Sequence, residues 1–405
     1  MNKSIFRKYK LLIMKNIIFK YSLFILSFSL VSSLFSACNE SFDPGEDVQV
    51  KNSTVLIYAV ATNSLRYNFV SDTLEMTIGG DYIDLDNNNV ILYATTYEND
   101  AQLLKLQKDK NGKCHFNVIK DFSADLSSLN PARISEVIDL VSIKYPAKTN
   151  GIIFWSHSTA SQPFTKLTSS QILDLNYSFG EDNNQSSGET MKINVNTLAE
   201  SLPDHFFDFI WFDSCYMSNI ETIYEFREKC DYFIGYPTEV VAEGIPYDRL
   251  LPYLTRLNPD ILGAAETFYD YYTNYARYKI GTIAVIDMSK IEDFAQFCSR
   301  YYNKTNKPST SSLFAYTTKN TGPFYDLGDY TKAMAELEGM ELTTEEWEQA
   351  LASLVLYKRA TTRDFNGNLI PQERYSGIST HLYDISNVSA TEQFYRSLSW
   401  FETTF

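Results

Sequence analysis

From Thr54 onward, short apolar runs alternate with segments whose apolar residues recur every three or four positions. The runs at 54–60, 89–95, 151–156, 207–212, 232–236 and 281–286 are short and nearly all apolar, the pattern of strands buried on both faces. Strands alternating with helical patterns predict an α/β fold with a mainly parallel sheet. One helix is well specified over 131–144. Asn130 can cap it, Pro131 suits its first position, and Ile134, Val137, Ile138 and Val141 form a core-facing stripe. Beyond residue 287 the pattern turns helical, at Ile291 to Tyr302 and Thr344 to Tyr357. Asn366-Gly367 then marks a hairpin turn and Ser376 to Tyr383 a final strand. Residues 161–192, rich in Ser, Asn, Gln and Gly, form the longest stretch without an evident element and read as a long loop.

Two of the apolar runs end in chemically capable residues. Gly151-Ile-Ile-Phe-Trp-Ser-His157 delivers an imidazole, and Phe206 to Phe212 leads into Asp213-Ser214-Cys215. Residues just past the carboxyl ends of parallel strands line the crevice of an open sheet. A Cys and a His brought there together point to a nucleophile and its proton-transfer partner. Taken singly, each has a plain structural reading, the thiol as a small buried hydrophobe and the ring as a hydrogen-bonded strand-end histidine.

Ser218-Asn-Ile-Glu221 fits a capping box, with Met217, Ile220 and Tyr224 facing the sheet behind it. That arrangement puts Cys215 in a short turn before a helix amino terminus, where partial positive charge favours thiolate. Asp213 lies two residues before Cys215, so in extended chain both side chains project to one side. A carboxylate there either receives a guanidinium or ammonium group or caps local backbone N–H groups.

Composition narrows the partners. A formal net charge of -15 argues against nucleic acid and anionic membrane surfaces as partners and is compatible with attraction of cationic peptides. The amino terminus reads as a targeting segment, with Lys15 and Lys20 before the apolar run Tyr21 to Phe35 and Met14 as an alternative start. That run is short for a membrane span, which needs about 20 apolar residues. Leu34-Phe-Ser-Ala-Cys38 resembles a bacterial lipobox, so residues 1–37 are expected to be a lipoprotein signal peptide and Cys38 the lipidated residue. An acidic tether follows over 38–52, with Glu40, Asp43, Glu46 and Asp47, which resemble surface-export signals of some Gram-negative lipoproteins. The expected location is the cell envelope, at the outer membrane, with the lipid as the only membrane contact.

Cys114, Cys230 and Cys298 are widely spaced, and no disulfide is expected. Cys114 and His115 follow the polar turn Lys108 to Lys113, a hairpin tip without a second ligand pair, so no metal site is expected. Asp84-Leu-Asp86-Asn-Asn-Asn89 is a turn of a kind that binds calcium. It lacks the glycine and distal glutamate of an EF-hand loop and reads as a solvated turn, and no cofactor is required.

Trp155-Ser156-His157-Ser158 and Asp213-Ser214-Cys215-Tyr216-Met217 together resemble the Trp-x-His-Gly and Asp-x-Cys-x-Met motifs of the clostripain-like cysteine peptidases. These belong with the caspases, gingipains and legumains. The resemblance extends to Thr54–Val60, Glu225 to Tyr232 and Pro246-Tyr247, and more thinly to Tyr325 to Asp329 and Gly377-Ile-Ser379. It implies a caspase-like three-layer sandwich with a mainly parallel central sheet, as a peptidase core over 53–287. A C-terminal region over 288–405, helical with a final strand or hairpin, would follow. It implies a Cys215-His157 dyad cleaving after Arg or Lys through a thioester, with backbone N–H groups of Ser158 and Cys215 holding the oxyanion. Asp213 would floor the pocket for the basic residue, and Glu239 and Glu243 would form a second wall.

Two departures stand out. The family's Gly after His is Ser158, and its Gly-Trp beyond the acidic loop is Ile245-Pro246. Relatives are often activated by a cut between the His and Cys strands. From Thr149 through Met191 the only Lys or Arg is Lys166, the candidate self-cleavage point. The rival readings are a catalytically idle surface lipoprotein that binds a peptide or partner, for which Ser158 is the best support, and a transpeptidase using the same acyl-enzyme.

Overall fold

The computed structural model describes residues 49–164, 176–183, 190–316, 324–384 and 386–405, and Asp47–Phe405 form one compact unit. The signal segment, Cys38 and Lys166 lie outside the described residues. The chain begins with β1 (Lys51–Val60), α1 (Arg66–Gly80), β2 (Asn88–Thr95), β3 (Gln102–Lys108), β4 (Cys114–Asp121), α2 (Pro131–Lys144) and β5 (Ala147–Trp155). There follow β6 (Ser158–Phe164), β7 (Asn176–Asn183), β8 (Thr190–Ile193), α3 (Val195–Glu200), β9 (Phe207–Asp213), α4 (Ile220–Glu225) and β10 (Cys230–Gly235). Then come α5 (Tyr247–Leu254), α6 (Ile261–Asp270), β11 (Thr282–Asp287), α7 (Ile291–Ser299), β12 (Ala315–Tyr316) and β13 (Phe324–Asp326). The chain closes with α8 (Leu327–Leu337), α9 (Thr344–Leu354), β14 (Val355–Ala360), β15 (Ser379–Thr380), α10 (Ala390–Ser397) and α11 (Ser399–Thr404).

A nine-stranded sheet in the order β14-β11-β10-β9-β5-β1-β2-β3-β4 forms the middle layer. Its five inner strands, from β10 to β2, are parallel, and the outer pairs are antiparallel. Strand alternation divides the core in two. Val55, Ile57, Ala59, Phe209 and Trp211 pack on one face with α1, α5 and α6, while Leu56, Tyr58, Val60, Ile210 and Phe212 pack on the other. Helices cover both faces, which is why the strands read as continuous apolar runs. The helix predicted over 131–144 has those bounds, and the Asn130 side chain accepts from the Ala132 N–H.

Three expectations need correction. The stretch 161–192 is not an element-free loop, because β6, β7 and β8 form a second, antiparallel sheet. Phe179 anchors it, fully buried with its ring against Phe154 and Phe212. The sequence does carry a strand signal here, since Leu173-Asp-Leu-Asn-Tyr-Ser-Phe179 alternates apolar and polar positions, but the Ser, Asn, Gln and Gly around it mask it. The helix expected over Thr344 to Tyr357 stops at Leu354, and β14 pairs with β11 at the sheet edge. Val355-Leu-Tyr is as compatible with a strand as with a last helical turn, and only the waiting edge of β11 decides. The final strand, expected over Ser376 to Tyr383, is reduced to Ser379–Thr380.

The Asp84 turn uses its own polar groups. Asp84 Oδ1 accepts the Asp86 N–H, Oδ2 accepts from Asn87, and Asn88 and Asn89 hydrogen-bond to Ser53 and Thr54 of β1. Cys114, Cys215, Cys230 and Cys298 are free thiols.

Candidate active site

The parallel order places β1 between β2 and β5, with chain connections leaving it in opposite directions, so the strand ends open a crevice beside it. A cleft of about 950 Å³ lies there. His157, Ser158, Asp213, Cys215, Glu239 and Glu243 all line it, so every core residue singled out in the sequence comes together at one place.

His157 occupies the break between β5 and β6. Its Nε2 is 2.8 Å from the Ser64 hydroxyl, and its carbonyl accepts the Gly180 N–H at 2.8 Å. Burial lowers the imidazole pKa, Glu181 opposes that shift, and Lys192 reinforces it. Trp155, the last residue of β5, donates its indole N–H to Asp72 of α1 at 2.8 Å and so ties the approach to His157 to the neighbouring layer.

Cys215 departs from the expected short turn. The helix after it starts at Ile220, and its cap is Asn219, whose side chain accepts from the Thr222 N–H. Between thiol and helix the chain runs beside the end of β10, with Tyr216 N–H bonded to Thr238 O and Ser218 N–H to Tyr236 O. Tyr216 turns the chain at φ 62, an uncommon backbone region for a bulky residue. The Ser218 hydroxyl donates to Gly377 O, so the capping box does not form. Glu221 is instead fully buried, accepting from Thr380 Oγ, the His381 N–H and Tyr383 O–H.

The thiol is accordingly not held as thiolate. Burial pushes its pKa up to about 12, with the Val240 contact working against the shift and Glu239 and Asp213 adding to it. Val240 touches it twice, its N–H 3.4 Å from Sγ and its carbonyl at 3.9 Å.

Asp213 is the last residue of β9 and is buried, 6 % exposed. The extended conformation ends there, so the expected same-side projection with Cys215 fails as strand alternation. Asp213 Oδ2 meets Ile245 N–H and Tyr247 O–H in the layer of α5, while Cys215 packs against the opposite core. Both still reach the cleft. Burial raises the Asp213 carboxyl to about 6, against the pull of those two hydrogen bonds. Asp72 is also pushed well up, by burial and then by Asp213, and Glu75 rises to about 7 through burial and Asp248. A group of acids thus lies under the cleft floor. Gly244 approaches it closely, since a Cβ there would lie 2.8 Å from the Asp213 carboxylate oxygens.

Ser158 is not among the non-glycine residues with positive φ, which are Ala160, His205 and Tyr216 among the described residues. A Cβ at 158 therefore carries no backbone strain. Its hydroxyl donates to the Cys215 carbonyl and links the two strand-end turns. Sequence reasoning missed Ser64, Glu181, Lys192 and Val240. Ser64 lies just beyond the first predicted strand, where the strand-end rule would have found it.

A thiol and an imidazole at adjoining strand ends of a caspase-like sandwich define the class, a cysteine-type peptidase. The chain belongs to the clostripain family (peptidase C11), whose model matches residues 57–403. It is similar to a secreted C11 cysteine protease from Bacteroides thetaiotaomicron, solved with an irreversible peptide inhibitor. Identity is 25%, the TM-score is 0.72, and 87% of this chain and 98% of that one are covered. It is also similar to an inactive zymogen C11 protease from Parabacteroides distasonis, at 26% identity and TM-score 0.72, over 88% of this chain and 99% of that one. No curated protein matches.

Proposed function

We propose that the protein is an endopeptidase cleaving after Arg or Lys, with Cys215 as nucleophile, His157 as proton carrier and Asp213 as the partner of the basic side chain. The observation that carries this reading is the buried Asp213 carboxyl in the same cleft as the thiol and the ring. A guanidinium or ammonium group entering there supplies the charge that burial withholds, and it draws Asp213 into its ionised form. Glu239 and Glu243 line the adjoining loop and add to the negative potential.

The substrate carbonyl is attacked by sulfur, giving a thioester as the amine leaves with a proton from His157. Water activated by the same ring then releases the acid. Backbone N–H groups near Ser158 and Cys215 hold the oxyanion. In the resting chain burial disfavours the thiolate and Val240 contacts the sulfur, so the thiol gives up its proton to His157 as it attacks. The protein reaches its substrates as an exported, lipid-anchored enzyme with Cys38 as the acylated residue. The secreted Bacteroides relative supports export.

The test is kinetic. Wild-type protein should hydrolyse Arg and Lys peptide amides far faster than the Asn analogue, and Cys215→Ala and His157→Ala should be inactive while melting normally. Turnover surviving in Cys215→Ala refutes the nucleophile, and preference for the uncharged residue refutes the pocket.

A further inference from the structure

We propose that Ser64 is a positioning residue that fixes the His157 ring for proton transfer. Its hydroxyl lies 2.8 Å from His157 Nε2, across 93 positions of sequence. β1 ends at Val60 and β5 at Trp155, and these strands are adjacent and parallel, so Ser64 and His157 leave neighbouring strand ends at the crevice.

The turn that presents Ser64 is rigidly built. Asn63 is fully buried, and its Nδ2 donates to Val60 O, Ser156 Oγ and Glu181 O at 2.8, 3.2 and 3.0 Å. Its Oδ1 accepts the Leu65 N–H at 2.9 Å, and Ser156 Oγ donates back to Val60 O at 3.0 Å. The residues on either side of Ser64 and the one preceding His157 are thereby bound into a single network. Ser64 itself is exposed, which removes any need for a polar residue there on packing grounds.

The chemistry assigns each nitrogen a task. With the Ser64 oxygen as acceptor, Nε2 keeps its proton and the Nδ1 lone pair is left to work. The thiol proton passes to Nδ1 as the S–C bond forms, giving an imidazolium whose Nε2–H still donates to Ser64. Nδ1–H then protonates the amine as the C–N bond breaks. In the second half a water proton passes to Nδ1 as the new C–O bond forms, and returns to sulfur as the thioester opens. Ser64 neither gains nor loses a proton in the cycle. Its effect is to hold the ring plane and to favour one tautomer.

This inference rests on His157 being the proton carrier. The experiment compares wild type with Ser64→Ala, Ser64→Thr and His157→Ala on an arginyl or lysyl peptide amide, with kcat and KM measured from acid to alkaline pH. Ser64→Ala should lower kcat by about tenfold or more with KM and Tm little changed, since a loosened ring spends less time in line. The acid limb of its profile should move to lower pH, because the imidazolium loses an acceptor. Glu181 and Lys192, which also bear on the ring, remain in both proteins. Ser64→Thr, which keeps the hydroxyl, should recover most of the rate. An unchanged kcat and pH profile in Ser64→Ala overturns the proposal, as does a loss that follows a fall in Tm or that Ser64→Thr does not rescue. An active His157→Ala would instead overturn the dyad reading on which it stands.

Discussion

The carboxyl of Asp213 ionises near 6 because burial outweighs its hydrogen bonds to Ile245 and Tyr247. A carboxyl raised in this way favours the fold most below its unfolded value, and that contribution is lost as pH rises through 6. At neutral pH the unpaired charge costs on the order of 2–3 kcal/mol. Asp213→Asn keeps an oxygen acceptor for both donors and should therefore raise Tm at pH 8 while changing little near pH 4. The same substitution should remove preference for Arg and Lys. For wild type, KM for a basic substrate should climb as pH falls below about 6, where protonation of Asp213 cancels its attraction. Thermal melts at both pH values, with a KM–pH series, check the two halves. A variant less stable at pH 8 would mean that hydrogen-bond geometry outweighs desolvation.

At the scale of elements, the loop carrying Cys215 is held from behind by the C-terminal segment. Ser218 donates to Gly377 O and accepts the Ser379 N–H, and Asn219 bridges in parallel to Ser379. Glu221 completes the junction by accepting three donors through one oxygen. Glu221→Ala leaves Thr380, His381 and Tyr383 without that acceptor in a dry interior and should cost about 2–4 kcal/mol. Glu221→Gln, which keeps an accepting oxygen, should lose less. Denaturant titration of the three proteins gives the ranking. Loss of peptidase activity in Glu221→Ala at a denaturant concentration where most of it is still folded would show that the junction also positions Cys215. Equal stability of all three would show that the junction is not tight. The thin sequence likeness near 325–329 and 377–379 is thus physically apt, since β13 and β15 pair with each other beneath this loop.

At the scale of the whole molecule, the predicted specificity and the chain's own sequence meet at Lys166, the only Lys or Arg between Thr149 and Met191. A peptidase with an acidic pocket has one target there, and the Parabacteroides relative is described as an inactive zymogen. Incubated wild-type protein should separate into two fragments cut after Lys166, while Cys215→Ala and Lys166→Ala should stay whole. Mass spectrometry of the fragments identifies the bond. An intact chain with full activity would show that the cut is dispensable.

The sequence by itself determined the parallel core and the residues at its carboxyl edge. Buried parallel strands must be apolar throughout, and a polar residue that ends such a run is conspicuous, as at His157 and Asp213. It also determined α2, because Asn130, Pro131 and the Ile134 to Val141 stripe agree with one another. Only the tertiary structure decided the rest. The acidity of Cys215 and Asp213 depends on what surrounds them, so a thiol expected to ionise easily is held protonated by burial. The pairing of Ser64 with His157 and of Glu221 with Tyr383 crosses 93 and 162 positions, respectively, and no local pattern records such contacts. The segment β14 is a strand because β11 offers it an edge, a fact that lies outside its own residues.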